Sequence, residues 1–182
     1  MKITSFVTIH LVRHAEAIPR TAEFPEPFRY LTCRGRTRFR RVAAALKKQQ
    51  VEPDLIYTSP LVRSVQTAEI LAETIRFCGD LRVVPALGPG FTINDLRDII
   101  GSSPQCGEIA LVGHEPDLGM VARTLLNAEL PCSLKKGGTV SFRVDPDRIE
   151  RKAEFFMLVT GGGKAVTDRG KALERLQAPN RQ

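Results

Sequence analysis

The sequence predicts a single α/β domain with three layers, α/β/α, built on a mostly parallel central sheet with an antiparallel edge strand. Three observations carry that expectation. Short β-branched and aliphatic runs alternate with segments of helical period, as strand–helix–strand units require. Three of the helical segments open on a capping residue or a proline, which marks where they begin. The last two strand-like runs flank Asp145-Pro146-Asp147 and read as a hairpin, the antiparallel end of the sheet.

In chain order, Phe6 to Val12 reads as a buried strand, followed by a proline-punctuated loop from Ile18 to Arg29 that contains Pro19, Pro25 and Pro27. Thr32 caps a helix running to about Lys48. Asp54 to Thr58 is a second strand, and Ser59-Pro60 supplies a cap and a first-turn proline for a helix carrying Val62, Val65, Ala68, Ile70, Leu71 and Ile75. Leu81 to Val84 and Ile109 to Val112 are the third and fourth strands. Pro116-Asp117 opens another helix, with Leu118, Val121, Leu125 and Leu126 facing inward. Thr139 to Val144 and Ala153 to Val159 form the hairpin. The domain is therefore assigned to residues 1–160, and the glycine run and dense charges of 161–182 read as a flexible tail with one short helix.

Composition excludes several classes. The chain has 182 residues, 42% hydrophobic and 26% charged, which is ordinary for a globular domain and unlike collagen, coiled coil or disordered protein. No apolar run approaches the roughly 20 residues of a membrane span, so no membrane role is expected. Lys2, the apolar stretch from Ile3 and Ala15-Glu16-Ala17 loosely imitate a signal peptide. Thr4, Ser5, Thr8 and His10 interrupt that stretch, and a cytoplasmic protein is the expectation. Cys33, Cys78, Cys106 and Cys132 are widely spaced and form no CxxC pair, which argues for reduced thiols rather than a zinc or disulfide framework.

The net charge of +7 favours anionic partners. Much of it lies on Arg34, Arg36, Arg38, Arg40 and Arg41, the solvated face of a helix whose other face is Val42 to Leu46. No aromatic residues are interleaved and no nucleic-acid module is present, so nucleic acid is not the expected partner.

The chemistry lies where strands end. Arg13-His14, Arg63 and His114 each fall just past the C-terminal end of an expected parallel strand, the edge where open α/β sheets bind ligands. Two arginines and two histidines suit a phosphoryl group, since guanidinium forks match phosphate oxygens and helix N-termini add positive potential. His10, inside the first strand, is read instead as a satisfied histidine of the sheet.

Four motifs then carry a resemblance. Leu11-Val12-Arg13-His14-Ala15-Glu16-Ala17 resembles the RHG signature of the histidine phosphatase superfamily, to which phosphoglycerate mutases belong. Leu31-Thr32-Cys33-Arg34-Gly35, with Arg29 two residues earlier, resembles its LT-x-x-G. Thr58 to Ala68 resembles its SP-x-x-R-x-x-QTA helix start, and Val112-Gly113-His114-Glu115-Pro116 its second-histidine loop. The motifs occur in the right order over roughly residues 5 to 120. The resemblance implies a phosphoglycerate mutase-like fold, His14 as the nucleophile that takes the phosphoryl group, and Arg13, Arg63 and a protonated His114 as the clamp on its oxygens. It implies no metal and no cofactor, with phosphate or a similar oxyanion as the group bound.

One departure bears on the substrate. Mutase-like members carry a carboxylate after the third strand to protonate the leaving oxygen, whereas this chain has Leu87-Gly88-Pro89-Gly90-Phe91 there. An alkoxide leaves poorly without an acid. Phosphohistidine releases an imidazole, whose conjugate acid has a pKa near ~6.5, and needs far less help. The missing acid, the short chain and the LxPG-like segment resemble the SixA-type phosphohistidine phosphatases and imply a phosphohistidine-bearing protein as partner. Glu16, Asp95 and Glu115 are the candidates for a displaced acid, which would go with a small phosphorylated metabolite or nucleotide. A non-catalytic phosphate-binding module is the third reading. Whether residues 18–29 act as a lid is left open.

Overall fold

The computed structural model describes residues 6–149, 151 and 153–178. Its strands are β1 (Val7–Arg13), β2 (Leu55–Thr58), β3 (Asp80–Val83), β4 (Glu108–Gly113), β5 (Thr139–Val144), β6 (Glu154–Val159) and β7 (Ala165–Val166). Its helices are α1 (Cys33–Lys48), α2 (Val62–Ile75), α3 (Ile93–Gly101), α4 (Asp117–Leu126) and α5 (Arg169–Gln177). The sheet order is β3-β2-β4-β1-β5-β6-β7, with the first four strands parallel and each later pairing antiparallel. The antiparallel margin thus holds three strands rather than a single edge strand. The expected strands fall within two residues of their observed bounds. Residues 1–5, where the signal-like reading begins, and 179–182 of the expected tail lie outside the described residues.

Side-chain alternation along the strands separates two apolar layers. On one side Val12, Ile56, Ala110 and Val112 meet Phe39, Val42, Ala43 and Leu46 of α1 and Ala68 and Leu71 of α2. On the other, Ile9, Leu11, Ile109, Leu111 and Phe142 meet α3, α4 and α5. The basic residues of α1 face outward, as its pattern requires, and Thr32 caps it by accepting from the Gly35 amide at 2.9 Å. Gly35 is needed there for space, because a Cβ would lie 2.1 Å from the Glu16 carbonyl oxygen. His10 is satisfied as expected, its ring nitrogens meeting Ser141 Oγ at 2.7 Å and Glu108 Oε1 at 3.0 Å. Cys33 and Cys78 are exposed, Cys132 is buried, and all four cysteines are free.

Three features differ from the sequence reading. Helix α2 begins at Val62, with Leu61 at the cap position and no side-chain cap, so Ser59 is released for another task. Helix α3 was not foreseen, although Thr92 and Asp95 form a reciprocal capping box ahead of Leu96, Ile99 and Ile100. The segment from Gly161 is not a free tail over its described length. Strand β7 extends the sheet, Asp168 caps α5 by accepting from Lys171, and Ala172 and Leu176 are buried in the core. Ala172 and Leu176, with Leu173 half-buried beside them, anchor a helix that also carries Arg169, Lys171, Glu174 and Arg175, which is why composition alone read as solvated chain.

Candidate active site

The sheet order brings together what the sequence keeps apart. Strand β4 lies between β1 and β2, so the C-terminal ends of all three stand side by side. The parallel ladder continues one residue beyond β1, where the His14 amide donates to Gly113 O at 3.1 Å, and His114 follows Gly113 directly. Ser59, just past β2, donates its amide to Val112 O at 3.0 Å. Arg63 lies in the first turn of α2 and points back to this edge. Thr67, one turn on, fixes the junction: its hydroxyl donates to Arg63 O at 2.7 Å and accepts from the Ala15 amide at 3.0 Å. Gln66 accepts from the Leu31 amide at 2.8 Å, so the Gln-Thr pair of the motif ties α2 to both flanking loops.

The geometry defines the state of His14. Its Nδ1 lies 2.7 Å from the Ala15 carbonyl, which accepts only from an N–H, so the lone pair is on Nε2. Arg63 Nε donates to that nitrogen at 3.3 Å. Burial pushes the His14 pKa down to about 3, and the positive charges of Arg63 and Arg13 and the His114 ring act in the same direction. The imidazole is therefore neutral at neutral pH, with its nucleophilic nitrogen toward the arginine.

His114 is tilted 56° to His14, with ring centroids 5.1 Å apart. Ser59 Oγ and Ser64 Oγ approach its Nε2 at 2.8 and 3.3 Å, while its Nδ1 is buried with no protein partner. Each hydroxyl can donate to Nε2 or accept from it; in the tautomer where they donate, the proton sits on Nδ1 and can be given to an oxygen of a bound group. The sequence reading had this residue protonated. Burial, followed by the charge of Arg63, instead lowers its pKa to about 4 and keeps it neutral until an anion offsets those charges. Neither serine was singled out from the sequence; Ser59 had been assigned to helix capping.

Arg13 ends β1. Its Nη1 donates to Leu134 O at 2.6 Å, its Nε is buried without a partner, and its charge depresses both histidines. Burial lowers its own pKa and the nearby Glu115 opposes that shift.

Of the three candidate acids, Asp95 stands apart from this cluster, whereas Glu16 and Glu115 border Arg13 without bonding to either histidine. Asp95 is consumed by the Thr92 capping box. Glu16 faces Arg38 at 3.8 Å, on the α1 side. Glu115 accepts from the Leu134 amide at 3.1 Å, and burial raises its pKa. The carboxylate that does reach the cluster is Glu26, which the sequence reading did not single out. It lies in a 3-10 turn at Glu26–Phe28, between Pro25 and Pro27, with Oε1 3.0 Å from Arg63 Nη2. Arg29 and Arg20 hold the same carboxylate, at 2.9 and 3.0 Å. Burial alone would raise its pKa, but the hydrogen bonds from Arg29 and Arg20 and the charge of Arg63 outweigh that and lower it. The signal available in the sequence was a glutamate flanked by Pro25 and Pro27 in a loop that also carries Arg20 and Arg29.

Both histidines couple stability to pH. Their pKa values lie below the ~6.5 of an unfolded chain, so the unfolded state binds more protons below that value, and stability falls as pH drops from 6.5 toward 3–4. Between pH 7 and 4.5 His14 alone is expected to cost about 2 kcal/mol. Urea unfolding at the two pH values tests this, because His14→Ala should lose less stability than the parent over that interval; equal losses would refute the buried neutral assignment.

Comparison with known proteins agrees with this geometry. The model of the histidine phosphatase superfamily (branch 1) matches residues 9–87. An uncharacterized protein of a Picosynechococcus species is 31% identical over 159 residues, covering 84% of this chain and 95% of its own length. Phosphohistidine phosphatase SixA of Escherichia coli is 24% identical over 139 residues, which is 75% of this chain and 85% of that protein. The solved structure of the protein histidine phosphatase SixA with tungstate superposes with a TM-score of 0.75 at 22% identity, covering 85% of this chain and 97% of the other. With the family model matched over residues 9–87, the motif residues gathered at one sheet edge and a relative 31% identical over 95% of its length, the chain belongs to the histidine phosphatase superfamily.

Proposed function

We propose that the protein removes phosphoryl groups from phosphohistidine on a partner protein, through a phosphohistidine intermediate on His14. The observation that carries this reading is the state of the carboxylates. Asp95 is spent in a capping box, Glu16 faces Arg38, Glu115 is held by the Leu134 amide and Glu26 is held ionised by three arginines, so no described carboxylate is hydrogen-bonded to His14 or His114, where it would assist an alkoxide. In the first step His14 Nε2 bonds to phosphorus as the substrate N–P bond breaks. The electron pair leaves with the substrate imidazole, which takes a proton from solvent. Water then attacks the phosphoenzyme, releasing phosphate and returning neutral His14.

Arg63 and Arg13 balance the charge on the transferring oxygens, and His114 donates from Nδ1. The route calls on no metal. A groove of about 720 Å³ borders Arg13 on the β5–β6 side of β1, lined by Arg38, Lys135 and Lys136 among others. With Glu16 the one acid among these basic residues, its charge suits an anionic partner and its size leaves room for a protein segment beside the phosphoryl group. The similarity to SixA in sequence and fold supports the same reading.

The test compares turnover of a phosphohistidine-bearing carrier protein with a panel of phosphate monoesters, using His14→Ala as blank. Preference for the carrier is expected. Preference for a sugar or nucleotide phosphate would overturn the reading in favour of a metabolite phosphatase, and tight phosphate binding without any turnover would favour a binding module.

A further inference from the structure

All three nitrogens of the Arg63 guanidinium are engaged: its Nε donates to His14, its Nη1 to the Glu26 carbonyl at 3.0 Å and its Nη2 to the Glu26 carboxylate at 3.0 Å. The guanidinium is 4% exposed and the glutamate 39%, so the carboxylate lies on the solvent side, across the approach to Arg63. An incoming phosphoryl oxygen seeks the same Nη2 donor. The base of the loop is fixed, since Ala17 bridges Leu31, the Ile18 amide donates to Tyr30 O at 3.0 Å, and Arg29 Nε donates to Ile18 O at 2.9 Å. Pro25 and Pro27 restrict the backbone on either side of Glu26. Rotation of the Glu26 side chain is therefore the smallest movement that frees Nη2, and Arg20 and Arg29 keep the displaced carboxylate nearby.

We propose that Glu26 is a specificity-determining residue: it holds a fixed negative charge against Arg63 that every phosphoryl group must displace, and it selects against substrates with a second anionic group beside the phosphorus. A phosphorylated carboxylic acid or a polyphosphate brings a further like charge to within a few ångströms of Glu26, where the interaction is only partly screened. Phosphohistidine brings none, and its imidazole, once it has taken a proton, departs as a neutral ring that adds no negative charge beside the carboxylate. The choice of phosphohistidine as the favoured substrate rests on the function proposed above, whereas the competition for Arg63 stands independently of it.

Binding without turnover tests the inference. Calorimetric titration of the full chain with inorganic phosphate and with imidodiphosphate, a non-hydrolysable diphosphate, is compared for the parent, Glu26→Gln and Glu26→Ala, with melting temperature as a check on folding. Phosphate is expected to bind on the order of tenfold more tightly to both variants, and imidodiphosphate to gain more than phosphate because it carries more charge. If Glu26 served only to shape its loop, both ligands would bind the variants more weakly and by similar factors, and the proposal would fall. Unchanged affinity for both would overturn it equally. Phosphohistidine turnover in the parent is measured alongside; its failure would remove the function proposed above and leave the Glu26 result to stand on its own.

Discussion

Replacing His14 with alanine is expected to lower turnover by at least about a thousandfold while leaving the fold in place. The loss is large because His14 is the group that would form a bond to phosphorus, and no described neighbour presents a second nucleophilic nitrogen in the same state. His114 lies nearest, but its Nε2 faces Ser59 and Ser64. The fold is expected to survive because the His14 side chain makes one short hydrogen bond to its own neighbour, Ala15, and one contact to Arg63, whereas its backbone carries the sheet contacts to Gly113 and Gly137. Steady-state rates with a melting curve check both halves. Labelling with a phosphoryl donor adds a direct readout: the parent should trap an acid-labile, base-stable phosphoenzyme and the variant none. Unimpaired turnover in His14→Ala would remove His14 from the chemistry altogether.

Arg63→Ala is expected to reduce kcat/KM by roughly two to three orders of magnitude. Two losses combine in this variant. One is a donor for the phosphoryl oxygens, and the other is the N–H that meets His14 Nε2 at 3.3 Å and orients the ring. A pH profile separates this from a structural effect. The Arg63 charge helps to depress His14, so its removal should raise the His14 pKa from about 3 and move the acid limb of the profile to higher pH. Arg63→Lys keeps a charge but not the planar fork, and should restore the position of the limb more fully than the rate. A normal rate in Arg63→Ala would mean that phosphate is held elsewhere.

Much of this site was legible in the sequence because it is built from short local motifs on strand ends. Strand positions for β1, β2 and β4 suffice to bring Arg13, His14, Arg63 and His114 to one edge, whatever the side chains do in detail. Other parts were not legible, for physical reasons. Ser59 precedes a proline and looks like a helix cap, but the helix starts later and the hydroxyl turns to His114. Helix α3 has nine residues, too few for its period to stand out, and its capping box uses aspartate. The protonation of His114 depends on burial and on a charge far away in sequence. Glu26 is set by loop geometry that no periodicity encodes. The end of the domain was misplaced because α5 buries two residues of nine, a signal too small to outweigh its charge.

Helix α5 is tied by hydrogen bonds to the loop that borders Arg13 and His14. The Ser133 amide donates to Leu176 O at 2.8 Å, and Arg169 donates to Leu126 O at the end of α4. One residue on from Ser133, Leu134 accepts from Arg13 through its carbonyl and donates its amide to Glu115, and the same stretch of chain ends at Gly137, whose amide donates to His14 O. A hydrogen-bonded path thus runs from the last turn of α5 to the backbone of His14 at the end of β1. Fraying of α5 and loosening of the strand-end cluster become one local opening event rather than two, so α5 shares a cooperative unit with the end of β1.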